Sequence, residues 1–297
     1  MKFPSHPLLN PYQHQNNVER AAKQTIETEK PFEFTIAERK KGLSVIILNL
    51  NAKDLIIPLL KQLEIQQQFF SKQNIDLEIL IGDTGSTERE VLDYYANNQF
   101  FKVIGNLKYH FSQCNNLVAE QHSSCSHLLF MNNDIILDNK KPDALINFFE
   151  HYQRLSDAGC LGIELLFPDH SIQHMGVDFF RKEEIKGLPF HPLSRQPQLI
   201  ASEYSKVTRI PAVTGAFLMI SAALFKQCDG MSNDYNRECQ DIELCLKCSR
   251  FGFSNYLINL GEVIHIENGT RKKGEEDWQD RQLFIRRWSS FIDAFFL

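Results

Sequence analysis

The sequence predicts an α/β fold with a largely parallel central sheet, and three observations carry that expectation. Continuous β-branched runs such as LSVIILNL (residues 43–50) and LEILIG (77–82) read as strands buried on both faces. Segments of helical spacing alternate with them. The strands end in clusters of amides and carboxylates, and open α/β sheets bind their ligands beyond those ends.

The elements follow in order from residue 43. After the first strand, residues 54–70 place Leu55, Leu59, Leu63 and Ile65 at helical spacing. LEILIG is the second strand, 88–98 a helix, FKVIG (101–105) a strand and 112–122 a helix. HLLFM (127–131) is a further buried strand. CLGIELLFPDHSIQHMG reads as strand, turn, strand, with Pro168-Asp169 at the turn. Residues 182–207 are polar and proline-rich, hence loop. AVTGAFLMI (212–220) is strand-like, 221–228 a short helix, and 241–251 an amphipathic helix with Ile242, Leu244, Cys245, Leu246 and Cys248 toward one side. Residues 1–41 form a polar N-terminal extension broken by Pro4, Pro7, Pro11 and Pro31, with a surface helix expected over 13–30. The globular domain is expected over 42–297, with a first half to about 138 and a second from about 139.

Composition narrows the function classes. A net charge of −5 leaves no general basic field, which argues against nucleic acid as a partner. The opening MKFPSHPLLNPYQ has no apolar h-region, and no run approaches the ~20 apolar residues of a membrane helix. Seven cysteines without framework spacing point to reduced thiols and a cytoplasmic setting. Cys245 and Cys248 lack a second CxxC to complete a zinc site, and read instead as a half-buried helix face.

Three strand ends converge on one sheet edge: Asn49-Leu50-Asn51, Gly82-Asp83-Thr84-Gly85-Ser86 and Asn132-Asn133-Asp134. Any one of them also suits a cap or turn; their convergence points to a site. Asp83 beside small residues is an acceptor for ribose hydroxyls or a base N–H. Asp134 with Asn132 offers hard oxygen ligands suited to Mg²⁺ or Mn²⁺ bridging a diphosphate. Asp241 opens a helix, where a carboxylate complements the dipole or serves as a general base. His265 ends a strand, with Glu267 two residues on and expected on the same side, a pair suited to metal or phosphate.

These segments together resemble the family 2 glycosyltransferases of the GT-A fold, especially rhamnosyltransferase-like bacterial members. SVIILNLN resembles the opening strand, EILIGDTGSTE the nucleotide-binding segment, and FSQCNNLVAEQ the helix before the metal strand. LLFMNNDI is similar to the D-x-D element. LGIELLFPDHSIQHMGV, AVTGAFLMISAALFKQCDGM, QDIELCLKCSRFGF, EVIHIENGTRKKG and DRQLFIRRW follow in the family's order, so the likeness spans about 43–288. It implies a Rossmann-like sheet flanked by helices and inverting sugar transfer from a nucleotide-diphosphate donor, UDP- or dTDP-linked. The acceptor would be a glycan or lipid-linked hydroxyl in surface polysaccharide synthesis.

The resemblance assigns Asp241 as catalytic base and Asp134 with His265 as holders of Mg²⁺ or Mn²⁺. It places Asn51, Asp83, Asn116 and Asn132 at the nucleotide, and Gly215, Gln240 and His174 at the donor or acceptor pocket. Asn132 is neutral where many members carry an acid, and Gln240 replaces the acid that often precedes the base. Those departures suit an alternative, a sugar-nucleotide-binding protein with weakened turnover. A nucleotidyltransferase is disfavoured because no glycine-rich basic triphosphate loop follows the first strand. Arg286-Arg287-Trp288 with Phe291, Phe295 and Phe296 leaves a peripheral contact with the cytoplasmic membrane open, although docking of this segment on the domain is the preferred expectation.

Overall fold

A computed structural model of the chain describes residues 39–198, 207–267 and 277–297. The surface helix expected over 13–30 lies outside them.

The first half alternates as its sequence predicts. β1 (Lys40–Asn49), α1 (Lys53–Lys72), β2 (Asp76–Asp83), α2 (Arg89–Ala96), β3 (Lys102–Ile104), α3 (Phe111–Gln121) and β4 (Cys125–Asn132) follow in order. β1 pairs in parallel with β2 and β4, and β2 with β3. β1 is the middle of this group, so its side chains meet helices on both faces. Val45 and Ile47 pack with Leu59, Leu63 and Phe149 on one side, and Ile46 packs with Val118 and Phe130 on the other. Each such buried side chain stabilises by about 1.5–3 kcal/mol, which explains why an unbroken apolar run is required here.

The second half continues the same sheet. β5 (Ile135–Ile136), α4 (Ala144–Arg154), β6 (Ala158–Ile163), β7 (Leu165–Leu166), β8 (Ile172–His174), β9 (Asp178–Phe179), a 3-10 turn (Glu183–Ile185) and β10 (Pro189–Phe190) come first. β11 (Val207–Ile210), β12 (Phe217–Ser221), α5 (Ala222–Gln227), α6 (Gln240–Arg250), β13 (Ser254–Ile258), β14 (Ile264–His265) and α7 (Trp278–Phe295) complete the chain. The main sheet has the order β11-β13-β6-β12-β4-β1-β2-β3, with β11 and β12 running against the other strands. A small sheet, β5-β14-β7-β8, lies beyond the end of β4.

Several expectations change. α4, β11 and β13 have no counterpart in the sequence reading. α4 buries Leu145, Ile146, Phe148, Phe149 and Tyr152. The 212–220 strand is shorter than expected: β12 begins at Phe217, Ala212 makes an isolated antiparallel bridge with Val177, and a turn at 215–216 precedes the strand. α6 is not half-buried. Cys245 and Cys248 are fully enclosed, and Glu243 is buried as well. Cys248 Sγ lies 3.8 Å from the sulfurs of both Cys160 and Cys228. All seven cysteines are buried free thiols. α7 buries Phe284, Trp288 and Ile292 against the domain, the expected docking of the tail. No helix among the described residues is long and apolar enough to cross a membrane.

Candidate active site

The ends of β1 and β2 are tied together by Asn49 and Asn51. Asn49 Nδ2 donates to Asn51 O and to Tyr95 Oη, both at 2.9 Å, and its Oδ1 accepts from Asn133 Nδ2 at 2.7 Å. Asn51 sits at φ 54°, a left-handed turn that Asn tolerates better than most residues. Its Oδ1 accepts from Thr87 N–H (2.7 Å) and Glu88 N–H (2.8 Å), which shapes the loop after β2. In that loop Asp83 Oδ1 accepts from Gly85 N–H (3.0 Å) and Ser86 N–H (2.8 Å). Asp83 Oδ2 is buried and has no hydrogen-bond partner among the described residues. A buried acceptor of this kind costs free energy unless a ligand donates to it. Burial, and then the charge of Asp83, pushes the Tyr95 phenol well above its ordinary range.

The end of β4 faces the small sheet. His265 Nε2 lies 3.1 Å from Asp134 Oδ1 and 3.1 Å from Asn132 Nδ2. His265 Nδ1 is 2.6 Å from Gln173 Oε1, while Gln173 Nε2 donates to His265 O at 3.3 Å. The Gln173 oxygen can only accept, so Nδ1 carries a proton, and the ring turns Nε2 toward Asp134 and Asn132. An oriented imidazole beside a carboxylate, with a second residue holding the ring, is the donor set of a divalent-cation site. Among the described residues no three His, Cys, Asp or Glu side chains converge on a metal position. Asp134 and His265 could supply one oxygen and one nitrogen donor to a divalent ion, which would need its other ligands from outside these side chains. Glu267 does not share this face. β14 ends at His265, and Glu267 takes φ 58° and is exposed, so strand alternation does not reach it.

Asp241 lies in the first turn of α6. Cys239, at φ 74°, makes the sharp bend that precedes it. Asp241 Oδ2 accepts from Gly215 N–H at 2.6 Å, and Oδ1 from Ile242 N–H at 2.9 Å. The 214–216 turn is fixed from three sides. Thr214 N–H donates to His174 Nε2 (3.3 Å), Gly215 N–H to Asp241, and Ala216 O accepts from Asn132 N–H (3.0 Å). The turn thus links Asp241 to the strand end carrying Asp134. Gln240 is buried beside it; its Nε2 donates to Arg237 O at 3.4 Å, and its Oε1 has no hydrogen-bond partner among the described residues.

The tail helix buttresses this arrangement. Asp280 accepts from the backbone N–H groups of Asn236 (3.0 Å), Arg237 (2.7 Å) and Glu238 (3.0 Å), the loop leading into α6. Trp288 Nε1 and Tyr235 Oη both donate to Glu243 Oε2, at 2.8 and 2.5 Å. The segments QDIELC and DRQLFIRRW therefore act on each other directly.

Asp83, Asn132, Asp134, His265, Gly215 and Asp241 lie along one connected edge. The Asn116 amide bonds both the N–H (3.0 Å) and the C=O (2.8 Å) of Met231. His174 is 1% exposed, behind the turn rather than lining a pocket. Gln173, His191, Tyr95 and Asp280 were not singled out from the sequence. Gln173 and Asp280 lie within segments that carried the family likeness.

No family model matches the chain. GalNAc-T7, solved with UDP, GalNAc and Mn²⁺, superposes with a TM-score of 0.61 at 14% identity over 99% of this chain and 62% of that one. The mannosyltransferase PcManGT from Pyrobaculum calidifontis, solved with GDP-Man and Mn²⁺, gives 0.54 at 14% identity over 95% and 73%. The fold is that of the GT-A glycosyltransferases. By sequence, the O-antigen biosynthesis protein RfbC of Myxococcus xanthus is 25% identical over 250 residues, 82% of this chain and 19% of that protein. The uncharacterized protein y4gI of Sinorhizobium fredii (strain NBRC 101917 / NGR234) is 27% identical over 221 residues, 71% and 23% respectively. The chain spans about a fifth of the length of these curated relatives.

Proposed function

We propose that the chain is an inverting glycosyltransferase that moves a sugar from a nucleotide-diphosphate donor to a hydroxyl of a glycan or lipid-linked acceptor, in surface polysaccharide synthesis. One observation carries the reading: the 214–216 turn holds Asp241 through Gly215 N–H and holds the Asn132 backbone through Ala216 O. A base and a cation site would thereby share one sheet edge with the buried carboxylate of Asp83. The relative named for O-antigen biosynthesis supports the acceptor class.

Asp83 Oδ2 accepts a hydrogen bond from the nucleoside of a UDP- or dTDP-linked donor. Asp134 and His265 would hold Mg²⁺ or Mn²⁺, which when bound would stabilise charge on the leaving diphosphate. Asp241 takes the proton of the acceptor hydroxyl as that oxygen attacks the anomeric carbon from the face opposite the diphosphate. Each Asp241 oxygen accepts one backbone N–H, so the carboxylate is fixed in place and still has lone pairs to receive a proton. Base catalysis of this kind supplies ~10²–10⁴-fold.

Nucleotide release over a panel of nucleotide sugars, with acceptor and with Mn²⁺ or EDTA, tests the reading. Transfer should need the cation, and Asp241→Asn should lower kcat by ~10²–10⁴-fold. Full activity of that variant removes the base assignment, and full activity in EDTA removes the cation. A second reading, donor binding with weakened turnover, draws on the Asn132 amide, whose Nδ2 lies 3.1 Å from His265 Nε2. Asn132→Asp should then tighten Mn²⁺ binding and raise turnover; unchanged turnover would count against this second reading.

A further inference from the structure

We propose that His174 and His191 are positioning residues that set the catalytic base through the 214–216 turn. The inference rests on the glycosyl-transfer reading, with Asp241 as base. His174 is 1% exposed, so it is enclosed by protein rather than open to a substrate pocket. Its Nε2 accepts Thr214 N–H at 3.3 Å, and its Nδ1 lies 3.0 Å from His191 Nδ1. The next N–H along the chain, that of Gly215, is the one that holds Asp241.

The bonds select one proton arrangement. Thr214 N–H can only donate, so His174 Nε2 keeps its lone pair and the His174 proton sits on Nδ1. That proton faces His191 Nδ1, which must accept, so His191 carries its own proton on Nε2. Both rings are neutral in this arrangement. Burial, reinforced by His191 and His265, holds His174 well below the usual imidazole range, and burial also lowers His191.

β8 then serves both halves of the site. Gln173 and His174 are adjacent in an extended strand, so their side chains leave it on opposite faces. Gln173 orients His265 at the cation, and His174 anchors the turn that holds the base. A displacement of about 1 Å in such a group can cost ~10²-fold in rate.

The test compares His174→Phe, His174→Gln, His191→Phe and Asp241→Asn in steady-state transfer, with thermal melting as a control. His174→Phe keeps the bulk but cannot accept from Thr214. It should lower kcat by ~10–100-fold with the donor KM within about threefold. His174→Gln restores an acceptor oxygen and should recover most of the rate. His191→Phe leaves the His174 Nδ1 proton without an acceptor and should show a smaller loss of the same kind, which keeps the proposal testable if His174→Phe does not fold. In an Asp241→Asn background, His174→Phe or His191→Phe should add little further loss. A His174→Phe kcat within twofold of wild type, no rescue by Gln, or losses that multiply in the double variant would each overturn the proposal. Full activity of Asp241→Asn would instead mark failure of the underlying reading.

Discussion

His265 Nδ1 donates to Gln173 Oε1 across 2.6 Å, and that bond decides which nitrogen faces Asp134. Without it the ring can flip or change tautomer and present an N–H where the proposed cation would bind. Gln173→Leu should therefore weaken Mn²⁺ binding ~10–100-fold, read by titrating Mn²⁺ against nucleotide release. The donor KM at saturating Mn²⁺ should change much less. An unaltered Mn²⁺ requirement would show that His265 does not depend on this support.

Gly215 approaches Asp241 as closely as a backbone can without a side chain. A Cβ added there would lie 3.2 Å from Asp241 Cβ and 3.3 Å from Phe111 Cζ. Gly215→Ala must shift Asp241, the proposed base, or the turn by a few tenths of an ångström. The expected result is a fall in kcat of about tenfold or more, with the melting temperature nearly unchanged. A kcat within twofold of wild type would mean that the base has room to spare.

Asn116, which the family resemblance puts at the nucleotide, spends its amide on Met231. Asn116→Leu leaves the Met231 N–H and C=O without these partners and should destabilise by about 1–3 kcal/mol. The melting temperature should fall by several degrees while the affinity for UDP holds. Weakened UDP binding at constant stability would return Asn116 to the nucleotide.

The sequence made the strand ends legible because a buried parallel strand has a simple signature and its polar end interrupts an apolar run. Asp83, Asp134 and Asp241 stood out for that reason. The supporting residues did not, since their meaning lies in partners far along the chain. Gln173 meets His265 across 92 positions, and Asn236 meets Asp280 across 44. His174 carried the family likeness but was placed at a pocket, because nothing in its local sequence shows that Thr214 and His191 enclose it. α4 escaped notice as well. Its segment ALINFFEHYQR is aromatic-rich, and both Leu145 and Ile146 are buried beside Phe148 and Phe149. Its buried residues nevertheless recur at helical spacing, so the segment was legible as an amphipathic helix.

Glu164 offers a pH signature separate from catalysis. It is 1% exposed, Asn259 Nδ2 donates to its Oε2, and burial raises its pKa to about 7 from an ordinary 4.5. The folded state therefore binds this proton more tightly than the unfolded chain does. Between the two values the folded protein holds more protons, so stability falls as pH rises. The favourable contribution is complete below about pH 4.5 and is lost as pH passes through about 7. The full difference is on the order of 3 kcal/mol. Glu164→Gln keeps an oxygen for Asn259 but never ionises. Its melting temperature relative to wild type should rise between pH 5 and pH 8, by several degrees. A difference that stays constant over that range would show that Glu164 keeps an ordinary pKa despite its burial.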